Sequence, residues 1–150
     1  MGKNVDYKQF EQFAKKLEKQ LSDEKREKFM EDCCKEIAAR LLSRVIKRTP
    51  TVEGTLKRGW SVDGNKNINV VKRDGEYRCA IYNPVQYSNF VEFGHRRVPG
   101  VYIPSLGKST TAGWTDGLFI LTISEKEVQS LTPALLEKRL MKLLKGAFND

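Results

Sequence analysis

The chain has 150 residues and carries 27 Lys and Arg against 19 Asp and Glu, which gives a formal net charge of +8. The length predicts one domain spanning 1–150, and a content of 39% hydrophobic and 31% charged residues is typical of a soluble folded chain. No apolar run approaches the roughly 20 residues of a membrane span. With His95 as the one histidine, the composition excludes multi-histidine metal sites and most histidine-based catalysis.

The positive charge is concentrated in the middle of the chain. Residues 1–36 and 109–150 each carry equal numbers of basic and acidic side chains, whereas residues 37–108 carry thirteen basic and five acidic ones. A local basic excess is typical of a surface that faces a polyanion or an acidic partner, and also of a surface that is simply solvated. Both interpretations stay open at this point.

The sequence predicts two helices in the N-terminal third of the chain. Apolar residues at helical spacing predict one amphipathic helix over residues 7–21 and a second, more apolar helix from Asp23 to about Arg48, ended by Pro50. The short join between them predicts a helical hairpin. Cys33 and Cys34 lie in the second helix without ligand spacing, and at least one of them is predicted to be a buried small apolar residue, in a reducing compartment.

The sequence predicts a small antiparallel sheet in the next segment. We expect residues 51–59 to be a polar connector and residues 60–63 to be a short strand. Asp74-Gly75 separates two strand-like runs, which is a strong hairpin signal. Residues 87–93 are compatible with a strand or a helix. Strands beside helices predict the α+β class.

Residues 94–117 are rich in Gly and Pro and predict a long loop or arm. Four apolar residues in this stretch would lack a core of their own, so we expect them to contact another subunit: Val101, Tyr102, Ile103 and Trp114.

Beyond the arm the chain is predicted to be helical again. Thr132 as N-cap and Pro133 at the first helical position predict a separate helix start within these C-terminal helices.

Catalytic motifs are missing from the sequence. There is neither a Gly-rich phosphate loop nor a GxSxG nucleophile elbow. Asp63, Asp74 and Glu92 are the candidates for a nuclease-like metal cluster, but no local ligand spacing supports them. We therefore expect no enzyme activity, no cofactor and no metal.

Five arginines are the candidates for a basic channel or docking surface. Arg40, Arg44 and Arg48 recur every four residues on one face of the second helix, and Arg96 and Arg97 lie in the arm. The alternative is that these arginines are solvated. A second hypothesis for the whole protein is a basic nucleic-acid-binding protein, although the sequence contains no recognisable recognition helix.

Two segments resemble a known family. They are Thr49-Pro50-Thr51-Val52-Glu53-Gly54-Thr55-Leu56-Lys57-Arg58-Gly59-Trp60 and Tyr87-Ser88-Asn89-Phe90-Val91-Glu92-Phe93-Gly94-His95-Arg96. In this order they resemble the gene-ten-like tail-component family of lambdoid phages, contractile prophages and phage-tail bacteriocins. The similarity extends from about Met30 to Phe148. Val52-Glu53-Gly54-Thr55 and His95 depart from the family pattern.

The resemblance implies a structural virion protein that completes or terminates the tail at the neck, where tail meets head. It implies a ring of copies of the chain, commonly a hexamer, which caps the tail tube and, in contractile particles, the last sheath layer. Further implied partners are head-connector proteins and DNA in unspecific transit, with no membrane. The implied location is the virion, after synthesis in the cytoplasm of the bacterial host.

Overall fold

The computed structural model describes residues 21–51, 54–62 and 68–148, and the isolated positions 12, 15, 18 and 19. The predicted helix over residues 7–21 therefore lies outside the described residues except at its last residue and those four positions, which are helical and exposed. In the described part of the chain, helices alternate with short antiparallel strand pairs. The predicted α+β class is confirmed.

Helix α1 (Asp23–Arg48) has the predicted bounds. Its N-cap is Ser22, whose hydroxyl accepts a hydrogen bond from the Lys25 backbone N–H at 3.4 Å. At the other end the chain becomes extended at Thr49, as expected for a residue that precedes proline.

A short helix, α2 (Thr55–Gly59), occupies part of the predicted polar connector, so that prediction is wrong there. The helix follows Gly54, which has a left-handed φ of 72°, and it buries the side chain of Leu56. A helix of five residues is too short to show a helical repeat in the sequence, and its burial is decided by packing. Residues Ser88–Phe93 form helix α3.

Two strand pairs lie between α2 and α3. Strand β1 (Ser61–Val62) pairs with β4 (Ile81–Tyr82), and β2 (Val71–Arg73) pairs with β3 (Glu76–Arg78). The β2–β3 turn is the predicted Asp74-Gly75, with φ of 52° and 79° at the two residues, as a type I′ turn requires. The strands form separate pairs rather than the one small sheet that the sequence suggested.

The segment from 94 to 117, called the arm below, is a β-hairpin and not the predicted loop. Strands β5 (Gly94–Arg97) and β8 (Gly113–Asp116) pair at its base, and β6 (Tyr102–Ile103) and β7 (Lys108–Ser109) pair near its tip. A 3-10 turn over Pro104–Leu106 closes it. The Pro and Gly residues between the strands obscure any alternation, so the pairing is not visible in the local sequence pattern.

Helix α4 (Ile120–Phe148) runs through Pro133 without interruption, so the predicted helix start at Thr132 is wrong. The Thr132 hydroxyl donates to the Val128 carbonyl at 2.8 Å, which is an intrahelical contact and not an N-cap. Both halves of α4 are tied to α1, by Arg48–Glu127 before the proline and by Arg139–Glu36 after it. This packing overrides the local preference of proline for a helix start.

The core lies between α1 and the first half of α4. The most deeply buried side chains there are Val45, Ile120 and Ser124, and Ser124 donates to the Ile120 carbonyl at 2.7 Å. No helix within the described ranges is long and apolar enough to cross a membrane.

Candidate functional site

The base of the arm is fixed by the carboxylate of Glu92, at the end of α3. One oxygen accepts from the Leu121 backbone N–H at 2.9 Å, and the other accepts from the N–H and the hydroxyl of Thr122 at 2.9 and 2.8 Å. These N–H groups belong to the first turn of α4, where a helix has no internal acceptor for them. Phe119, which precedes α4 with a left-handed φ of 49°, has no side-chain acceptor, so Glu92 supplies the cap from another element.

Two glycines allow the two ends of the arm to touch. A Cβ on Gly94 would lie 2.4 Å from the Thr115 carbonyl oxygen, and Gly94 also has a left-handed φ of 81°. A Cβ on Gly117 would lie 2.2 Å from the Glu92 carbonyl oxygen. Because these neighbours are backbone atoms, neither position has room for a larger residue. The arm therefore leaves the helices at a fixed point.

The arm presents apolar side chains that the rest of the chain does not cover. Tyr102 is 61% exposed and Trp114 is 55% exposed, and Val101 is exposed as well, whereas Ile103 is half-buried. Leu106 at the tip is 67% exposed. Large exposed apolar residues on a protruding hairpin are typical of a protein–protein contact.

Two of the five candidate arginines belong to the arm. Arg96 lies opposite Trp114 in the β5–β8 register, and both line a cleft of about 480 Å³ together with Arg97. The structure thus brings together residues that the sequence predicted for two separate roles, since the candidate interface residue Trp114 and the candidate docking residues Arg96 and Arg97 share one surface.

The other three arginines lie on α1 and form ion pairs. Arg40 donates to Glu36 at 2.7 and 3.0 Å. Arg44 and Arg48 both reach Glu127 of α4, at 3.2 and 2.7 Å. The hydrogen bond from Arg48 holds the pKa of Glu127 below its ordinary value, with a further contribution from Arg44. Part of the predicted stripe is therefore neutralised within the chain.

An apolar groove of about 920 Å³ runs between α1, α4 and the β2–β3 hairpin. The chain's three cysteines, Cys33, Cys34 and Cys79, all line this groove, and none of them forms a disulfide within the part of the chain that the structure describes. Burial raises the pKa of the Cys33 and Cys34 thiols, which favours the protonated form of each. This agrees with the predicted packing role.

The first sequence motif forms a structural junction. The Thr49 hydroxyl donates to the Val45 carbonyl at 2.7 Å and accepts from the indole N–H of Trp60 at 2.8 Å. The Asn83 amide donates to the Leu56 carbonyl at 2.7 Å. These bonds hold α1, α2 and strand β4 together, so the motif residues act as framework.

The candidate metal cluster is not assembled in the described part of the chain. Asp74 lies in the β2–β3 turn and Glu92 caps α4, while Asp63 is outside the described residues. No group of three or more His, Cys, Asp or Glu side chains there could hold a metal ion. His95 packs its ring 5.5 Å from that of Phe90.

The capping partners of Glu92 could not be identified from the sequence, because they lie about thirty positions away. A weak signal for Glu92 was present in its position between two apolar residues, which indicates partial burial.

The comparison with protein families gives a match over residues 11–94, to the family described as "Bacteriophage HK97-gp10, putative tail-component". The match covers more than half of the chain, and the chain belongs to this HK97-gp10-like family. It is thus a structural component of the phage tail, in agreement with the resemblance of its two motifs. No curated protein and no solved structure gives a significant match.

Proposed function

We propose that this tail component completes or caps the tail at the head–tail neck, as one subunit of a ring formed by copies of the chain. The observation that carries the proposal is the arm, an ordered hairpin with exposed apolar residues. Its base is fixed by Glu92 and by the glycine pair. A projection with a fixed base and exposed apolar side chains suits a contact with a neighbouring subunit.

The chain also has a second apolar surface of a different shape, the concave groove that contains the three cysteines. A head-to-tail ring is heterologous, so each subunit needs two different complementary surfaces. A convex arm and a concave groove on one chain support such a ring, for which the family resemblance suggests six subunits. The tail tube, the last sheath layer and the head connector are its proposed neighbours.

The proposed role is structural and not catalytic, for a single domain made in the host cytoplasm and incorporated into the virion. The alternative, a dedicated nucleic-acid-binding protein, would use aromatic side chains as stacking platforms. Trp60 is instead half-buried and bonded to Thr49, and Tyr77 is half-buried beside the apolar groove. These contacts favour a packing role for both aromatics.

The test is electron microscopy of particles made without this protein. We expect tails of abnormal length, or finished tails that do not join heads, and rescue by the intact chain supplied in trans. Tails of normal length that are joined to heads would contradict the proposal.

A further inference from the structure

Besides the arginines of the arm, the described residues form a strongly basic surface that the family assignment does not explain. A groove of about 1000 Å³ lies between α1 and the second half of α4. Its lining includes six basic residues, Lys25, Arg40, Lys138, Arg139, Lys142 and Lys145, and one acidic residue, Glu36. We call this the basic groove.

The one carboxylate of the basic groove is already paired. Glu36 accepts from Arg40 and also from Arg139, and the hydrogen bond from Arg40 lowers its pKa, with Arg139 contributing. The four lysines form no ion pair with any other described residue. Among the described residues that line it, the groove therefore has a strong excess of positive charge, with Glu36 as the one acidic side chain.

The lysines are arranged in a row. Lys138, Lys142 and Lys145 recur at i, i+4 and i+7, so they lie on one face of α4 and span about 10 Å. Successive phosphates of one DNA strand advance about 3.4 Å along the duplex axis, so the row spans about three phosphates. Attraction to the helix dipole accounts for a lysine in the last turn, but not for Lys138, ten residues before the end of the helix.

We propose that the basic groove binds the phosphate backbone of double-stranded DNA without reading its sequence. Lysines are flexible point charges that neutralise phosphates without defining a base contact. Such binding suits a protein past which DNA must move. The proposal rests on the proposed function for the presence of DNA at the neck, whereas the binding itself is a property of the single chain.

The test is fluorescence anisotropy of the full chain with a labelled duplex of random sequence, at several salt concentrations. The variant is Lys138→Gln with Lys142→Gln. The matched control is Lys28→Gln with Lys126→Gln, which removes the same charge from exposed positions outside the groove. We expect the groove variant to raise Kd at least fivefold and to lower the salt slope by about two, since each phosphate contact contributes about 0.9.

Three outcomes would overturn the proposal: equal losses in both variants, no binding of the wild-type chain at low salt, or tighter binding of polyglutamate than of the duplex at equal charge. The last result would assign the groove to an acidic polypeptide. The same variants are scored for tail joining in particles. Failure to bind DNA with normal tail joining would leave the proposed neck function standing, so the two proposals fail separately.

Discussion

The Glu92 carboxylate accepts a hydrogen bond from the Leu121 backbone N–H at 2.9 Å, and so joins the residue that precedes the arm to the helix that follows it. The neighbouring backbone strengthens this link, because the Phe119 N–H donates to the Glu92 carbonyl at 3.0 Å. One acidic residue therefore caps α4 and closes the base of the arm. The conformation of the arm and the stability of α4 are coupled through it.

Replacement of Glu92 by alanine is expected to destabilise the protein by about 2–4 kcal/mol, because it removes three hydrogen bonds to a buried carboxylate and leaves two N–H groups without an acceptor. Glu92→Gln should cost less, since one amide oxygen can still accept. Urea unfolding measures both changes. Equal stability of Glu92→Ala and wild type would show that solvent replaces the cap.

Alanine at Gly94 or Gly117 is expected to destabilise the arm base, since each new Cβ would meet backbone atoms at 2.4 Å or less. We expect a loss of more than about 2 kcal/mol in thermal or urea unfolding for either variant. Gly146→Ala is the matched control, because nothing lies within 4 Å of its Cβ position. A neutral effect at Gly117 would mean that the two ends of the arm can separate at little cost.

The two ion pairs that Glu127 forms with Arg44 and Arg48 make the stability of the protein dependent on pH. Since the pKa of Glu127 is lowered in the folded state, its contribution is present above the ordinary glutamate value of 4.5 and is lost as the pH falls below it. Stability measured between pH 7 and pH 3 should therefore decline less steeply in Glu127→Gln than in wild type. Glu125→Gln, which changes an exposed residue of the same helix, should leave the wild-type profile in place.

The Thr49 hydroxyl links α1 to Trp60, and Thr49→Val keeps its shape while removing both hydrogen bonds. Because the indole N–H then loses its acceptor, we expect a loss of about 1–3 kcal/mol in urea unfolding. Thr49→Ser retains the hydroxyl and should be close to wild type. A stable valine variant would show that packing alone holds this junction.

Charged substitutions on the arm are expected to block assembly without unfolding the subunit. Tyr102→Asp with Trp114→Asp changes two exposed residues, so the thermal transition should shift little while tail completion in particles is lost. Leu131→Gln, on an exposed position of α4, is the control.

In the same assay, Arg96→Glu with Arg97→Glu should weaken docking of the tail to its partner. Normal particles from both arm variants would remove the arm from the interface.

Local patterns predicted the elements whose signal is short-range. The bounds of α1 follow from Ser22, from a broad apolar stripe and from the stop before Pro50, all of which lie within the helix or beside it. The β2–β3 turn follows from Asp74-Gly75, because few other dipeptides accept two positive φ angles. The candidate interface residues Tyr102 and Trp114 were identifiable as apolar side chains in a segment without a core.

Elements that depend on distant partners could not be read from the same patterns. Thr132-Pro133 has the form of a helix start, yet α4 continues through it and contacts α1 on both sides of the proline, through Arg48–Glu127 and Arg139–Glu36. The hairpin form of the arm depends on pairing across up to twenty-two positions, from Gly94 to Asp116. Local propensity is weaker than these tertiary contacts.

The sequence by itself determined that the chain is an α+β protein of the phage-tail family with a net charge of +8 concentrated between residues 37 and 108. Only the tertiary structure decided which charged side chains are paired within the chain and which line a groove at the surface. Arg44 and Arg48 share one counter-ion, Glu127, whereas lysines from the electrically neutral segment 109–150 line the basic groove together with Lys25 and Arg40. A count along the chain cannot separate these cases, since the field at a surface depends on which side chains the fold brings within a few ångströms of one another.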